Sequence, residues 1–383
     1  MIKIIKNVEI FSPQPLGKRD ILIAHDKIVA IDKDIPLNGT YVESIDGSGK
    51  LCVPGFIDSH VHIIGGGGEG GFTTRTPELP FSDLVQGGIT TVVGCLGTDG
   101  VTRNLNSLYA KAKSLDEQGV TCYIYSGSYR VPIVTFTGSL LQDLILIDKV
   151  IGAGEIAISD HRSSQPTIEE LKRIAADARV GGILSNKAGI VNLHVGDGPS
   201  MLDMLYEIIR TTEIPTSQFL PTHINRNRKL LQEGLNYVQM GGVVDFTTSV
   251  GSLLVEDLQA WKALKDYVDH GFEDSVTFSS DGQGSLPRFN DKKEFVGLDV
   301  GRVTSVYEQF RLAVENGVEL QKALKAVTKN PAKVLKLTSK GCLDEGKDAD
   351  LLLLDKDLCI NTVIAKGKIL MKEGQLIVKG TFE

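Results

Sequence analysis

Two histidines one residue apart, His60 and His62, close the short run Pro54-Gly55-Phe56-Ile57-Asp58-Ser59. In an extended chain successive side chains alternate faces, so both imidazoles project from one side and can grip a single cation. Pro54-Gly55 is a turn signal, so the run enters from a bend and ends in polar ligands, as a buried barrel strand does at a functional rim. Further along, His194 ends Val191-Asn192-Leu193, His223 ends Pro221-Thr222, and Asp281 follows Ser279-Ser280. Four of the chain's seven histidines therefore sit at expected strand ends, a concentration that a surface scatter does not produce. Four imidazoles plus carboxylates exceed what one tetrahedral zinc can use, so two divalent metals sharing a bridging ligand are expected. Such a pair lowers the pKa of a shared water toward neutrality and polarises a scissile carbonyl. His25, in a β-unit, His161, after a loop, and His270, at a helix end, read as ordinary solvated or capping histidines.

The elements that must position these ligands alternate strand and helix. Strands are expected at Phe56 to His62, Thr90 to Cys95, Val120 to Ser126, Glu155 to Ser159, Gly189 to His194, Phe219 to His223, Val243 to Ser249 and Val276 to Ser280. Helical periodicity falls between them, near Asn104 to Asp116, Leu140 to Val150, Ile168 to Ala178, Met201 to Arg210, Lys229 to Met240, Glu256 to His270 and Arg302 to Glu315. Eight such units over residues 54–336 predict an α/β fold, a (β/α)8 TIM barrel with its chemistry at the carboxyl ends of the strands. Residues 1–53 (Ile2 to Phe11, Asp20 to Ala24, Lys27 to Ile31, Tyr41 to Ile45) and 337–383 (Gly341 to Leu343, Leu351 to Leu354, Ile360 to Ala365, Lys368 to Met371, Gln375 to Val378) carry only strand texture. Two isolated small sheets bury too little to stand alone, so both ends are expected to pair into one composite β domain.

Composition narrows the partners. A net charge of −7 and a pI near 5.6 lack the basic patch that nucleic acid or an anionic membrane would need. Five cysteines with no C-x-x-C pair, mostly in apolar runs, read as reduced core thiols. No apolar run reaches about 18 residues and the N-terminus has no long apolar core, so a soluble cytoplasmic protein is the expectation.

Together with the tail motif Gly346-Lys347-Asp348-Ala349-Asp350-Leu351, the metal-ligand pattern resembles the amidohydrolase superfamily over essentially the whole chain. Within it, Gly65 to Gly71 with Glu69, Gly127-Ser128-Tyr129, Ile158-Ser159-Asp160-His161-Arg162, Pro221 to Asn227 and Ser279 to Ser285 are similar to the isoaspartyl (β-aspartyl) dipeptidase family. Most members bridge their metals with a carboxylated lysine placed seven residues ahead of the arginine of Ser-Asp-His-Arg; here that position is Glu155. A glutamate offers the same bridging carboxylate but is about three bonds of roughly 1.5 Å shorter. The strand must then approach the metals, and Ala153-Gly154 could supply the bulge that brings it in. Glu155 is accordingly preferred to Lys149 as the bridge.

The resemblance implies zinc, hydrolysis of β-aspartyl dipeptides, and metal ligation by His60, His62, Glu155, His194, His223 and Asp281. It implies further that Asp281 takes the water's proton and passes it to the leaving amine, and that Tyr129 donates to the oxyanion; from the residues alone, Tyr129 could equally be loop packing. Glu69 would meet the substrate's α-ammonium, Arg162, Arg226 and Ser285 its carboxylates, and Thr98 would add a contact. A large homo-oligomer, such as an octamer, is implied as well. Two other readings share the features: a cyclic-amide hydrolase of the dihydroorotase or hydantoinase kind, which would not call for Glu69, and a non-catalytic scaffold, which would not need a complete ligand set.

Overall fold

The computed structural model describes residues 2–37, 39–249, 258–289 and 295–383. Eight parallel strands form the barrel: strand one Phe56–Val61, two Ile89–Gly94, three Thr121–Ser126, four Val150–Ile158, five Ile190–Val195, six Phe219–Thr222, seven Val244–Thr247 and eight Val276–Ser279. Strands one to six make one continuous parallel sheet, and seven pairs with eight. The cylinder closes where Asp281 N donates to His60 O (3.1 Å) and His62 N to Gly282 O (2.9 Å). Between six and seven, the Asn225 side chain bonds both backbone groups of Thr247, at 3.0 and 2.9 Å. Helices surround the strands and start where the sequence supplies caps: Asn104 accepts from Ser107 N, Thr167 forms a capping box with Glu170, and Asn227 accepts from Leu230 N.

Both chain ends meet in one nine-stranded sheet, in which Leu51–Pro54 and Leu351–Leu354 run antiparallel side by side. The four leucines of that last strand are buried on both faces: Leu352 and Leu354 join the barrel's core, and Leu351 and Leu353 join the small sheet's own. Leu51–Pro54 then runs through Gly55 straight into strand one. A Cβ at Gly55 would lie 2.2 Å from Thr90 Oγ1, so only glycine lets the chain pass so close to strand two.

Several expected boundaries move. Strand four begins at Val150, five residues before its expected start, and the preceding helix ends at Leu146. Gly152 and Gly154 gave no strand signal, yet they lie against strand five, where a Cβ at Gly152 would meet Ile190 O at 2.5 Å. The helix from Ile168 continues past two glycines to Ser185, because Gly181 packs directly on Leu144. Residues 256 and 257 of the helix expected over 256–270 lie outside the described residues, and the described helix is Ala260–Asp269. Gly341 to Leu343 is not a strand: the Ser12 hydroxyl binds both backbone groups of Leu343 instead. Helices Phe81–Gln86, Leu320–Val327 and Lys329–Val334, and a hairpin of Ser285–Phe289 with Phe295–Val300, were not expected. Among the described residues no helix is long and apolar enough to cross a membrane.

The tail motif has a structural explanation. Buried Lys340 is paired with both Asp348 (2.9 Å) and Asp350, while Asp348 also binds Lys27 (2.5 Å) and Asp350 O accepts from Gly55 N (2.9 Å). Burial pulls the Lys340 ammonium down, but its two carboxylates outweigh that and keep it charged. Lys340→Met leaves two neighbouring carboxylates without their shared cation. Chemical denaturation should show a loss of about 3–5 kcal/mol, whereas a loss below about 0.5 kcal/mol would mark the pair as a mere surface contact.

Candidate metal centre and substrate pocket

The strand ends bring the expected ligands together around one buried carboxylate. Glu155, 1% exposed, directs Oε2 toward His60 Nε2 (3.2 Å), His194 Nδ1 (3.4 Å) and His223 Nε2 (3.7 Å), and Oε1 toward His62 Nε2 (3.4 Å). Asp281 Oδ1 lies 3.0 Å from His62 Nε2 and 3.8 Å from His60 Nε2. Two donor sets thus share Glu155: His60 and His62 on one side, His194 and His223 on the other. His60 Nε2, both Glu155 oxygens and Asp281 Oδ1 are buried with no hydrogen-bond partner among the described residues. Unpaired buried polar atoms are costly. Converging as these do, from nitrogen and carboxylate donors, they fit divalent cations.

Side chains behind the ligands fix the rings. His60 Nδ1 bonds Asn192 Oδ1 (3.0 Å), His223 Nδ1 bonds Thr247 Oγ1 (2.6 Å), and His194 Nε2 bonds Asp160 Oδ2 (2.9 Å), which turns His194 Nδ1 inward. Asp58 ties strand one to strand eight by accepting from Ser280 N (3.1 Å) and His60 N (3.3 Å). His223 and Asp281 adopt left-handed backbone (φ 65° and 53°), turning the chain sharply as it leaves its strand.

Charge follows from this packing. Burial pushes the Glu155 carboxyl up, but the imidazoles of His60, His194 and His223 hold it well below the usual range. Asp281 is likewise raised by burial, yet the His62 contact brings it down to about 2. Burial, with His194 beside it, lowers His223 to about 3, so its ring is neutral and able to ligate.

Strand four carries the extra residue that brings Glu155 inward. Ala153 pairs with Val191 and Ile156 with Leu193, leaving one residue over on strand four. Lys149, the less favoured bridge, sits ahead of the strand with its Nζ 3.0 Å from Asp116 Oδ2. Cys95 was read as an ordinary core thiol, but its sulfur lies 3.7 Å from His62 Nδ1 and within the His60, His62, Glu155 group. Its place directly after strand two, on the rim that carries the other ligands, was the available signal.

Above the ligands opens a cavity of about 520 Å3. Tyr129 borders it with its hydroxyl 2.7 Å from His194 Nδ1, and burial together with Glu155 raises its pKa, keeping the phenol protonated. Arg162 grips Asp160 with Nε (3.0 Å) and Nη2 (2.8 Å) and extends Nη1 to Glu69 Oε1 (3.3 Å), which also accepts from Thr98 (3.0 Å). Arg226 stands apart: among the described residues Nε has no partner, and Asp197 Oδ2 is 4.0 Å from Nη1. Ser285 lines the wall beside Gly67, and Leu286 and Leu298 of the unexpected hairpin add an apolar side. His161 is solvated, as expected, but on the cavity's rim; His25 and His270 are exposed and remote from its lining.

Residues 223–370 match the model of the Amidohydrolase family. A β-aspartyl dipeptidase from Fervidobacterium islandicum AW-1, solved in complex with a β-Asp-Leu dipeptide, superposes with a TM-score of 0.91 at 53% identity, covering 98% of each chain. Dihydroorotase from Listeria innocua serovar 6a is 31% identical over 182 residues, 45% of this chain and only 39% of that enzyme. A D-hydantoinase from Thermus sp., 17% identical with a TM-score of 0.71 and covering 99% of this chain and 97% of its own, shares the fold alone.

The positions of Glu155 and Lys149 separate cleanly in experiment. After zinc reconstitution, Glu155→Ala should fall short of two ions per chain by elemental analysis, while Lys149→Met keeps the full complement. Two full-occupancy ions in the Glu155 variant would rule out the shared carboxylate.

Proposed function

Because this chain belongs to the β-aspartyl dipeptidase family of amidohydrolases, we propose that it cleaves β-aspartyl dipeptides at a dinuclear metal centre. His60, His62 and Asp281 would hold one ion, His194 and His223 the other, and Glu155 both. Two divalent ions, most naturally zinc with so nitrogen-rich a donor set, would supply an activated water and Lewis acidity toward the scissile carbonyl.

The chain's own residues supply the rest. Asp281, ionised down to about pH 2 and at the edge of the ligand cluster, is suited to accept the proton of the attacking water and return it to the leaving amine. Tyr129, kept protonated by burial, has a fixed hydroxyl to donate to the developing oxyanion. Glu69 offers a carboxylate at the mouth for an α-ammonium. Arg226, whose Nε has no partner among the described residues and whose ion pair with Asp197 is long at 4.0 Å, is the better receptor for a substrate carboxylate; Arg162 is already held by Asp160, and contributes its remaining edge with Thr98 and Ser285.

The observation that carries this reading is the opposition of Glu69 to two arginines directly above the ligand cluster. A zwitterion with an extra carboxylate matches that pattern. A cyclic ureide has no ammonium to offer Glu69, and a non-catalytic scaffold has no need of unpaired buried ligand atoms. A homo-oligomer belongs to the same reading and rests on the family resemblance, while a cytoplasmic location rests on the lack of long apolar runs in the sequence.

Purified enzyme should hydrolyse β-Asp-Leu but not α-Asp-Leu, and should lose that activity on chelation and regain it with zinc. Arg226→Ala removes a charged hydrogen-bonding group worth about 1.5–3 kcal/mol, a rise in KM of roughly 10- to 150-fold for β-Asp-Leu. Turnover of hydantoin or dihydroorotate in preference to the dipeptide would refute the assignment.

A further inference from the structure

Arg103 is a buried cation that no step above uses. It lies in the loop that joins strand two to the helix Leu105–Gln118, is 9% exposed, and borders neither the ligand cluster nor the cavity. Among the described residues no carboxylate forms an ion pair with it. Its guanidinium spends itself on backbone carbonyls: Nη1 donates to Ile64 O, and Nη2 to Gly66 O (3.0 Å) and Thr76 O (2.8 Å). A buried charge without a counter-charge is costly, and an apolar side chain would fill the same space at no such cost. What the guanidinium adds is the fastening of three carbonyls at once by charge-assisted bonds.

Those carbonyls belong to both limbs of the glycine-rich loop. Ile64 and Gly66 lie on the outgoing limb and Thr76 on the returning one. The limbs are laced together above them, with Thr76 N bonding Gly66 O (3.0 Å), Gly66 N bonding Thr76 Oγ1 (2.7 Å) and Gly68 N bonding Thr74 O (3.1 Å). Glu69 sits at the tip of this ribbon. Gly65 turns with φ 79°, and a Cβ there would lie 2.4 Å from Thr76 O and 2.7 Å from Arg103 Nη1, so the chain is kept bare where the guanidinium enters. A second strap runs outside: Arg75, on the returning limb, binds Asp99 (2.7 Å) and Thr102 (2.6 Å), and Thr98 of the same loop holds the Glu69 carboxylate itself. The loop after strand two therefore grips the glycine ribbon at its base, flank and tip.

We infer that Arg103 is a positioning residue for substrate selection: by clamping the base of the glycine ribbon it sets where the Glu69 carboxylate stands, and so how strongly the enzyme demands a free α-ammonium. The inference rests on the reading of Glu69 given above and deepens it. Arg103 itself touches neither substrate nor metal.

The test compares β-Asp-Leu with N-succinyl-Leu, the same skeleton without the α-amino group, as a ratio of kcat/KM. Glu69→Gln first establishes how far that ratio falls when the carboxylate's charge is lost; no fall there would sink the reading of Glu69 and this inference with it. With that fall in hand, Arg103→Met should lower the ratio at least tenfold through the KM of β-Asp-Leu. Its kcat should stay within about threefold of the parent and its metal content unchanged. Arg103→Lys, which keeps the charge but reaches fewer carbonyls, should lie between the two and also serves if the methionine variant fails to fold. A parental ratio in either Arg103 variant, or equal losses on both substrates, would reduce Arg103 to a general structural role and overturn the inference.

Discussion

A carboxylate buried among four imidazoles is the constraint to which the rest of the barrel conforms. Glu155 receives no hydrogen bond from the described residues, so positive or polarisable neighbours must keep it ionised in so dry a place. Its short side chain then dictates the backbone around it. Strand four bulges, Gly154 rests on Asn192, and Gly97 stays bare because a Cβ there would reach His62 Cε1 at 2.8 Å. The same constraint sorts the outer partners. Each ring must present one chosen nitrogen to the centre, and Asn192, Thr247 and Asp160 hold three of the rings by the opposite nitrogen.

How much of this could be read from the chain depended on whether the determining contact is local. His60 and His62 announce themselves because the period of a strand is two, and His194, His223 and Asp281 because each ends a short apolar run. Glu155 could be found only by counting from Arg162, since a glutamate between small residues has no signature of its own. The early start of strand four stayed hidden for a related reason: glycine in a strand is chosen for what approaches it from the neighbouring strand, and that approach is not written nearby. Cys95 looked like any thiol in an apolar run, because burial and proximity to ligands produce the same local pattern. Arg103 was silent too, since its partners are backbone carbonyls some 27 to 39 positions away, which leave no complementary residue to notice. The composite sheet was foreseeable from its two unfinished halves, whereas the hairpin after strand eight was not, since Pro287 and Gly297 lie within its strands and both blur a strand pattern.

The candidate metal ligands and the charged mouth are joined through one oxygen. Asp160 Oδ2 accepts from His194 Nε2 at 2.9 Å and from Arg162 Nη2 at 2.8 Å, so a ring of the centre and a fork of the pocket are referenced to the same atom. From floor to mouth the groups form one series of contacts: the Glu155 carboxylate, the His194 ring, Asp160, Arg162, Glu69. Burial raises the Asp160 carboxyl, but His194 and Arg162 hold it far below its usual value, and Arg162 is held far above its own. Each member is therefore stabilised by the next, and the end of the series at Glu69 is the only one open to solvent. On the proposed reading, an entering zwitterion would replace the Glu69–Arg162 contact with contacts of the same kind, ammonium to the carboxylate and carboxylate to a guanidinium, without leaving any charge in the series unpaired. A ligand with only one of those charges cannot, and would strand its opposite in a half-buried site. On that reading, discrimination for a doubly charged dipeptide backbone would follow from the contacts the pocket's own charges make with one another.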